Sequence, residues 1–306
     1  FIFLHASIIV KTIFPRNRKC CIIIAMKKLL FCLISVFAFF SIYAQTENVP
    51  SDFLSSENTA LYFGNPSCAV SELSAKENYL IEKPQFTLSY NAQKLIPNWV
   101  SWHLSSVDIG ECGRSNDFRP DSQLPGEFYK VKKSDYQFKK YGFDRGHVCP
   151  SADRTDSQEN NSVTFLMTNM IPQSPDLNRI VWKDLESYER ELARQGNELY
   201  IIAGQSGTGG TSATGTFTEI PLLSQSGAGK SITVPAYCWK ILLVLPDGEN
   251  DFSRVTAQTT IIAVYMPNIQ GLQHNGSWQH YLCSVDYIEE QTGCNFFHLL
   301  PEFRFF

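Results

Sequence analysis

Short runs of β-branched and aromatic residues, separated by Pro and Asn, constrain the fold of this chain more than any other feature. Three of them follow one another closely, at Tyr79–Ile81, Phe86–Tyr90 and Trp99–Leu104. Runs of this length and composition, bounded by turn-forming residues, are typical of consecutive antiparallel strands. Leu199–Gly204 is continuously apolar and is predicted to be a central strand. Further strands are predicted at Ile232–Pro235, Cys238–Leu245 and Thr259–Met266.

One long helix is predicted between these two groups of strands. It should begin at about Leu177, after the turn at Pro172–Pro175, and end at about Gln195, where Gly196 is a suitable stop. One face is apolar at helical spacing, and it comprises Val181, Leu185, Tyr188 and Leu192.

Two smaller elements complete the predicted fold. Val163–Met167 is predicted to be a buried strand, and a short helix is predicted near Asp286–Gln291. His103, between Trp102 and Leu104, is interpreted as a hydrogen-bonded core residue. The pattern as a whole predicts an α+β fold with a central antiparallel sheet and flanking helices.

The N-terminal region has the pattern of an export signal. Met26 is followed by two lysines and by the apolar run Leu29–Phe40. Such a run is short for a membrane span and typical of a signal peptide, so residues 26–44 are predicted to be removed and the product to be secreted or periplasmic. Residues 1–25 are interpreted as upstream sequence read in frame. The alternative is a membrane anchor that begins near Ile8.

The composition changes again after the predicted cleavage point. Residues 45–76 are rich in Ser, Asn and Glu without sustained periodicity and are predicted to be a flexible lead-in. Residues 77–306 are predicted to form one domain. The abrupt sequence Phe303–Phe306 suggests a truncated C terminus.

The charge balance is acidic. The chain has 26 Lys and Arg against 30 Asp and Glu, and its first 44 residues contain six of the basic residues and none of the acidic ones. The remaining chain therefore carries a net charge near −10. Non-specific binding to nucleic acid normally rests on a basic surface, so a protein that handles polyanions would need a local basic groove or a bound cation.

Six cysteines remain after the predicted cleavage, and none forms a Cys-x-x-Cys pair. They are Cys68, Cys112, Cys149, Cys238, Cys283 and Cys294. Export permits disulfides, but six thiols allow 15 pairings and the sequence does not choose among them. Cys149 is interpreted as a structural thiol rather than a nucleophile.

The chemistry of the chain is concentrated in two blocks. The first is Asp144–His147, which a strand is predicted to deliver into a turn beside Pro150. By itself, this first block is equally consistent with a buried ion pair beside a glycine turn. The second block comprises Thr168–Gln173, Leu177–Arg179, Trp182–Glu186 and Arg190.

Together, the two blocks resemble the DNA/RNA non-specific endonucleases, secreted nucleases with a ββα-metal active site. The resemblance runs from about Phe86 to about Pro301 and includes Asn98–Val100, Val234–Pro235 and Asp286–Glu289. It implies a metal-dependent endonuclease that hydrolyses phosphodiester bonds of DNA and RNA with little sequence specificity.

The resemblance also implies a role for each site residue. His147 is the expected general base, and Asn178 is the expected ligand of a water-rich Mg²⁺, which Mn²⁺ could replace. Glu186 is expected to orient water of the metal, and Arg145 and Arg190 to offset the charge that develops on phosphorus. The expected supporting residues are Arg114, Asp144 and Asn169. Arg114 is aligned with a phosphate-contacting arginine, although the local spacing also allows Arg119.

Some of these residues could instead have a purely structural role. Asn178 is equally suitable as a helix N-cap, and Glu186 and Arg190 lie one helical turn apart and could form an ordinary ion pair. Two alternative functions are an exported nucleic-acid-binding protein of the same fold without catalysis, and another metal-dependent phosphodiesterase.

Overall fold

A six-stranded antiparallel sheet lies at the centre of the protein. The structure, a computed structural model, describes residues 59–272 and 277–300. In chain order the strands are β1 (Tyr79–Glu82), β2 (Thr87–Asn91), β3 (Ile96–Leu104), β4 (Asp144–His147), β5 (Met170–Gln173), β6 (Asn197–Ser206), β7 (Gly210–Ser212), β8 (Gly215–Phe217), β9 (Glu219–Pro221), β10 (Ser231–Thr233), β11 (Tyr237–Pro246) and β12 (Thr260–Pro267). The large sheet has the order β1-β2-β3-β6-β11-β12, and every neighbouring pair in it is antiparallel.

Helices flank this sheet. They are α1 (Phe138–Tyr141), α2 (Gln158–Val163), α3 (Lys183–Arg194), α4 (Asp251–Arg254) and α5 (Val285–Thr292). A π-helical segment, Leu177–Trp182, leads directly into α3. Short 3-10 turns occur at Ser106–Asp108, Lys133–Tyr136, Ser151–Asp153, Met167–Asn169, Gln225–Gly227 and Trp278–Tyr281.

Both faces of the sheet are covered, which explains why its central strand is continuously apolar. In β6, Ile201 and Ala203 belong to the core that also contains Trp182 and Leu185 of the long helical segment. Tyr200 and Ile202 alternate with them and belong to the core on the opposite side, with α5. Successive side chains of a strand point to opposite faces, so a strand covered on both sides needs apolar residues at every position. The predicted α+β fold with a central antiparallel sheet is confirmed.

The strand predicted at Val163–Met167 is wrong. Val163 ends α2, a 3-10 turn occupies Met167–Asn169, and the strand that follows is β5. The helix is favoured at this point because the side chain of Ser157 caps it, accepting a hydrogen bond from the backbone of Asn160 at 3.1 Å. A short apolar run by itself cannot distinguish a buried strand from the end of a helix.

The long helix occupies the predicted region, but its buried face is shifted. Tyr188, predicted to be part of the apolar face, is 38% exposed, whereas Glu189 is completely buried. The reason is Lys240 in the middle of β11, which lies beneath this face of α3 and binds Glu189.

Residues 59–69, assigned above to the lead-in, are packed against the domain. Phe63 and Ala69 are each only 3% exposed. The packed region therefore extends N-terminal to the predicted boundary at residue 77. Residues 1–58 and 301–306, with the predicted signal peptide and the suspected truncated end, lie outside the described residues. In the described ranges, no helix has the length and apolar character needed to cross a membrane.

The Lys240–Glu189 ion pair joins α3 to the sheet. Both side chains have no exposed surface, and Lys240 Nζ lies 2.9 Å from Glu189 Oε1. The Lys240 ammonium also lies 5.5 Å from the ring centroid of Trp102 and 4.5 Å from that of Trp182. Two indole faces therefore surround this cation and partly replace its lost hydration.

We expect Lys240→Met or Glu189→Met to lower the free energy of unfolding by about 3–5 kcal/mol, because each leaves one buried charge without its partner. The double variant, with two apolar side chains, should recover most of that loss. Urea unfolding of the four proteins measures this coupling. Single variants as stable as the parent would contradict the proposed role of the pair.

Candidate active site

A two-stranded hairpin of β4 and β5 presents the Asp144–His147 motif. Asp144 pairs with Gln173, and His147 pairs with Met170. A Cβ atom at Gly146 would lie 1.9 Å from Oε1 of Gln173, so any larger residue would collide with the Gln173 side chain unless that side chain moved. The glycine of the motif is therefore required by the close packing of Gln173 and not by an unusual backbone angle.

Arg145 and His147 lie two residues apart on one strand and contact the same aromatic ring. Arg145 Cζ lies 4.7 Å from the ring centroid of Phe118, and the His147 imidazole lies 5.6 Å from it. Phe165 packs edge-on against His147 at 4.7 Å. These two phenylalanines form the walls around the histidine, which is only 7% exposed.

Burial and neighbouring cations keep this histidine neutral. Burial, together with the positive charges of Arg114 and Arg145, lowers the pKa of His147 to about 3. Its Nε2 atom is buried and has no hydrogen-bond partner among the residues that the structure describes. At neutral pH the imidazole is therefore uncharged and has a nitrogen available to bind a proton.

Asn178 is oriented by Asp144, the first residue of the same motif. Asn178 Nδ2 donates a hydrogen bond to Asp144 Oδ2 at 2.9 Å. Arg179 donates to both oxygens of that carboxylate, from Nε and Nη2, each at 2.7 Å. With its amide nitrogen directed at Asp144, Asn178 keeps its side-chain oxygen as an acceptor. Asn178 lies inside the π-helical segment and its backbone N–H binds Ser174, so the N-cap interpretation is wrong.

Glu186 and Arg190 project from consecutive turns of α3. Glu186 is half-buried, and this burial raises its pKa to about 7 against the opposing effect of Lys240. Arg190 does not form the ion pair suggested by helical spacing; its Nη1 donates to Asp153 Oδ1 at 3.0 Å. Although burial would lower the pKa of Arg190, Asp153 and Glu186 raise it.

Asp153 fixes Arg190 to the sheet. Its second oxygen, Oδ2, accepts a hydrogen bond from Trp102 Nε1 at 3.0 Å, and the carboxylate is completely buried. Arg190 is thereby held between α3 and the turn that follows the His147 strand. A charge-assisted contact of this kind restricts the position of the guanidinium more than an exposed pair would.

Arg114, not Arg119, reaches the site. Arg114 Nη1 donates to Ser151 Oγ at 2.6 Å, and its guanidinium lies 4.8 Å from the ring centroid of Phe165. Arg114 and His147 contact the same ring, that of Phe165. The positive charge of Arg114 lowers the pKa values of both His147 and Glu186. Arg119 instead forms an exposed pair with Asp117 at 2.6 Å.

Asn169 supports the site from the interior. Its side chain is completely buried and binds the backbone of Cys149, accepting from N–H at 2.9 Å and donating to the carbonyl at 2.8 Å. A further hydrogen bond reaches the carbonyl of Thr164 at 2.9 Å. Asn169 therefore holds the turn that follows His147. Cys149 itself is buried, and burial raises the pKa of its thiol, as expected of a structural cysteine.

The donor set is suited to a weakly held, hydrated cation. Within residues 59–272 and 277–300, no group of three or more His, Cys, Asp or Glu side chains could enclose a metal. The side-chain oxygen of Asn178, beside the Asp144 carboxylate, is a donor of the type that Mg²⁺ accepts while it keeps several waters. The residues present therefore fit an open Mg²⁺ site and do not fit a closed structural one.

Several contributors were not recognised from the sequence. Phe118 and Phe165 form the walls of the histidine pocket, Asp153 holds Arg190, and Arg179 holds Asp144. The sequence does contain a signal for one further buried residue, Glu189. Lys240 lies within the apolar run of β11, and an ammonium group is rarely buried without a partner, which here is Glu189. The sequence has no comparable signal for the two phenylalanines.

Three similarities to known proteins bear on this site. A family model described as DNA/RNA non-specific endonuclease matches residues 64–303. A nuclease from Nostoc sp. is 44% identical over 77% of this chain and 79% of its own length. The mitochondrial nuclease EXOG of Danio rerio is 32% identical over 70% of this chain and 60% of its own length.

The fold itself matches a solved structure. A chain of the crystal structure of the EndoG/EndoGI complex superimposes with a TM-score of 0.61 at 21% identity, over 79% of this chain and 91% of that one. At this identity the likeness concerns the fold, which is the ββα-metal nuclease fold. From the family model and the identities to the known nucleases, the chain belongs to the DNA/RNA non-specific endonuclease family, whose members are metal-dependent hydrolases of nucleic acids.

Proposed function

We propose that this protein cleaves DNA and RNA by a mechanism in which His147 acts as the general base and Asn178 holds a hydrated Mg²⁺. The observation that carries this proposal is the buried, neutral imidazole whose Nε2 lacks a partner among the described residues, close to the guanidinium groups of Arg114 and Arg145. Such an imidazole can accept a proton, and the adjacent cations can bind phosphate.

In the proposed reaction, His147 removes a proton from a water molecule as the water oxygen attacks phosphorus in line. The bond from phosphorus to the 3′ oxygen breaks, and the leaving oxygen takes a proton from solvent. A buried histidine with a depressed pKa is a weaker base than one near neutrality, but the phosphate anion between the arginines favours its protonated form during the reaction. General-base catalysis of this kind is worth roughly 10²–10⁴-fold.

The other site residues act on charge and on water. Asn178 would hold the metal through its side-chain oxygen, and the cation would supply positive charge to stabilise the phosphate; Mn²⁺ could replace Mg²⁺. Glu186, on the face of α3 beside Arg190, would accept hydrogen bonds from water of the site. Arg145, Arg114 and Arg190 would stabilise the growing negative charge on the phosphoryl oxygens.

Little sequence specificity follows from such a site. Its proposed contacts go to phosphate and water, and contacts of this kind position a strand without reading its bases. We therefore propose that both DNA and RNA are substrates. Residues 26–44 contain two lysines followed by a short apolar run, the pattern of a signal peptide. This pattern supports a location in the periplasm or outside the cell.

Purified protein should degrade plasmid DNA and total RNA in Mg²⁺, and excess EDTA should stop both reactions, because the proposed cation is held by one protein side chain. Gel electrophoresis of both substrates provides the measurement. Stable binding with no strand cleavage at any divalent cation concentration would favour a binding protein of the same fold. Cleavage of p-nitrophenyl diesters but not of nucleic acid would favour another phosphodiesterase.

We expect His147→Ala to reduce cleavage at least about 100-fold, because it removes the proposed base. Folding, followed by circular dichroism, and oligonucleotide binding in EDTA should be retained. His280→Ala, which alters an exposed histidine outside the site, is the matched control. Unchanged cleavage in the His147 variant would exclude this residue as the base.

The two titratable groups should give the apoprotein opposite pH dependences of stability. The pKa of His147 falls from 6.5 to about 3 on folding, so its contribution is present above pH 6.5 and is lost as the pH falls toward 3. The pKa of Glu186 rises from 4.5 to about 7, so its contribution is present below pH 4.5 and is lost as the pH rises through 7.

Urea unfolding in EDTA should therefore show that His147→Gln reduces the loss of stability below pH 6.5, by up to a few kcal/mol. Glu186→Gln should reduce the loss between pH 4.5 and 7. Equal pH profiles for a variant and the parent would show that the corresponding group has the same pKa in the folded and unfolded states.

A further inference from the structure

A cleft of about 790 Å³ adjoins the His147 pocket, and its lining is rich in positive charge. Its lining includes Lys132, Lys133, Lys139, Lys140 and Arg145. Arg145 also contacts Phe118, the ring that packs against His147. The lining of this cleft contains no Asp or Glu. In a chain with more acidic than basic residues, this concentration of cations is a local exception.

The local backbone brings the two lysine pairs together. A 3-10 turn, Lys133–Tyr136, is followed directly by α1, and Gln137 between them has φ of 42° and ψ of 49°. This left-handed residue separates the two short elements, and both lysine pairs line the same cleft. Asp135, the acidic residue of this segment, is buried and binds the backbone N–H of Lys132 at 2.8 Å and the Tyr129 hydroxyl at 2.9 Å.

None of the four lysines has a carboxylate within ion-pairing distance in the described part of the chain, where the paired lysines are Lys83 and Lys240. All four side chains are exposed. Like charges that share a cleft repel one another, and a polyanion that bridges them removes this repulsion. The cluster is therefore complementary to a chain of phosphates.

Two aromatic rings interrupt the lysines. Phe118 lies between the cleft and the catalytic pocket, because it contacts both Arg145 and His147. Phe138, at the first position of α1, is 42% exposed. The guanidinium of Arg179 lies 5.9 Å from the Phe138 ring centroid, and Arg179 also binds Asp144, the residue that orients Asn178. Through Phe118 the cleft adjoins His147, the proposed base. Through Phe138, Arg179 and Asp144 it is linked by contacts to Asn178, the proposed metal ligand.

We propose that this lysine cleft binds the nucleic-acid strand next to the scissile phosphate, with an unpaired base stacked on Phe138. The inference rests on the proposed function and adds a substrate class to it: single strands and locally unpaired duplexes. The lysines contact backbone phosphates, which are common to DNA and RNA. An exposed ring between them offers a surface for a base that is not already stacked in a duplex.

The lysines are tested by the salt dependence of binding, measured in EDTA so that no strand is cut. For a fluorescent single-stranded 12-mer, Lys139→Ala/Lys140→Ala should reduce the slope of log K against log salt by about 1.4, since each lost phosphate contact removes about 0.7. Lys76→Ala/Lys94→Ala, two lysines outside the cleft, is the matched control and should keep the parent slope.

Phe138 is tested by Phe138→Leu, which keeps an apolar side chain but removes the ring. Its Kd for the 12-mer should rise roughly ten-fold, whereas its Kd for a fully paired duplex should stay within about two-fold of the parent value. Tyr287→Leu removes a ring of almost equal exposure, 41% against 42%, and should change neither Kd. Thermal unfolding of each variant shows whether the fold is intact.

The outcomes separate this inference from the proposed function. If the parent cleaves nucleic acid and both cleft variants bind the 12-mer with the parent slope and Kd, the cleft inference is wrong while the function stands. If the parent cleaves nothing, the function fails, whatever the cleft binds. Under turnover, the ratio of 12-mer to p-nitrophenyl diester kcat/KM should fall about ten-fold in Phe138→Leu, because only the longer substrate reaches the cleft.

Discussion

The attachment of α3 to the central sheet determines the geometry of the whole site. This helix and the π-helical segment before it carry Asn178, Glu186 and Arg190, whereas His147 belongs to a separate hairpin. The Lys240–Glu189 pair fixes the rotation of α3, because a fully buried ammonium and a fully buried carboxylate must face each other. Without that rotation, Glu186 and Arg190 would not face the turn that follows the histidine.

Asp153 makes a second connection between the same elements. It binds Trp102 in β3 with one oxygen and Arg190 in α3 with the other. Glu189 and Asp153, two carboxylates that are completely buried among the described residues, thus hold the helix in place and leave Glu186 half-buried at the site. These buried charges position residues of the candidate site, and the exposed cations are the groups that we propose to contact the substrate.

Much of the sheet could be predicted from the sequence, because β-branched and aromatic runs bounded by Pro, Asn and Gly carry strong local signals. The helix was also predictable, although its buried face was not: spacing alone favoured Tyr188, whereas a distant lysine brought Glu189 inward. The strand predicted at Val163–Met167 failed because the side-chain cap at Ser157 favoured a helix. Local patterns contain no information about partners supplied by another element.

Local sequence patterns also predict only part of the candidate site. His147, Arg145 and Asp144 stand together in the sequence, and Asn178 could be associated with them through the resemblance to a family. The choice between Arg114 and Arg119 needed coordinates, because both are arginines in one irregular loop. The enclosing rings of Phe118 and Phe165 also come from segments whose path cannot be derived from periodicity.

The proposal that Asn178 supplies the one protein ligand of the metal has a consequence for the order of folding and metal binding. The described core is held by apolar packing on both faces of the sheet and by a buried ion pair, and no enclosing set of metal ligands contributes to it. The proposed Mg²⁺ would therefore bind to a chain that is already folded. Under that proposal, maturation and activation would be separate events, and the composition of the surrounding medium, rather than the folding process, would decide when the protein becomes competent.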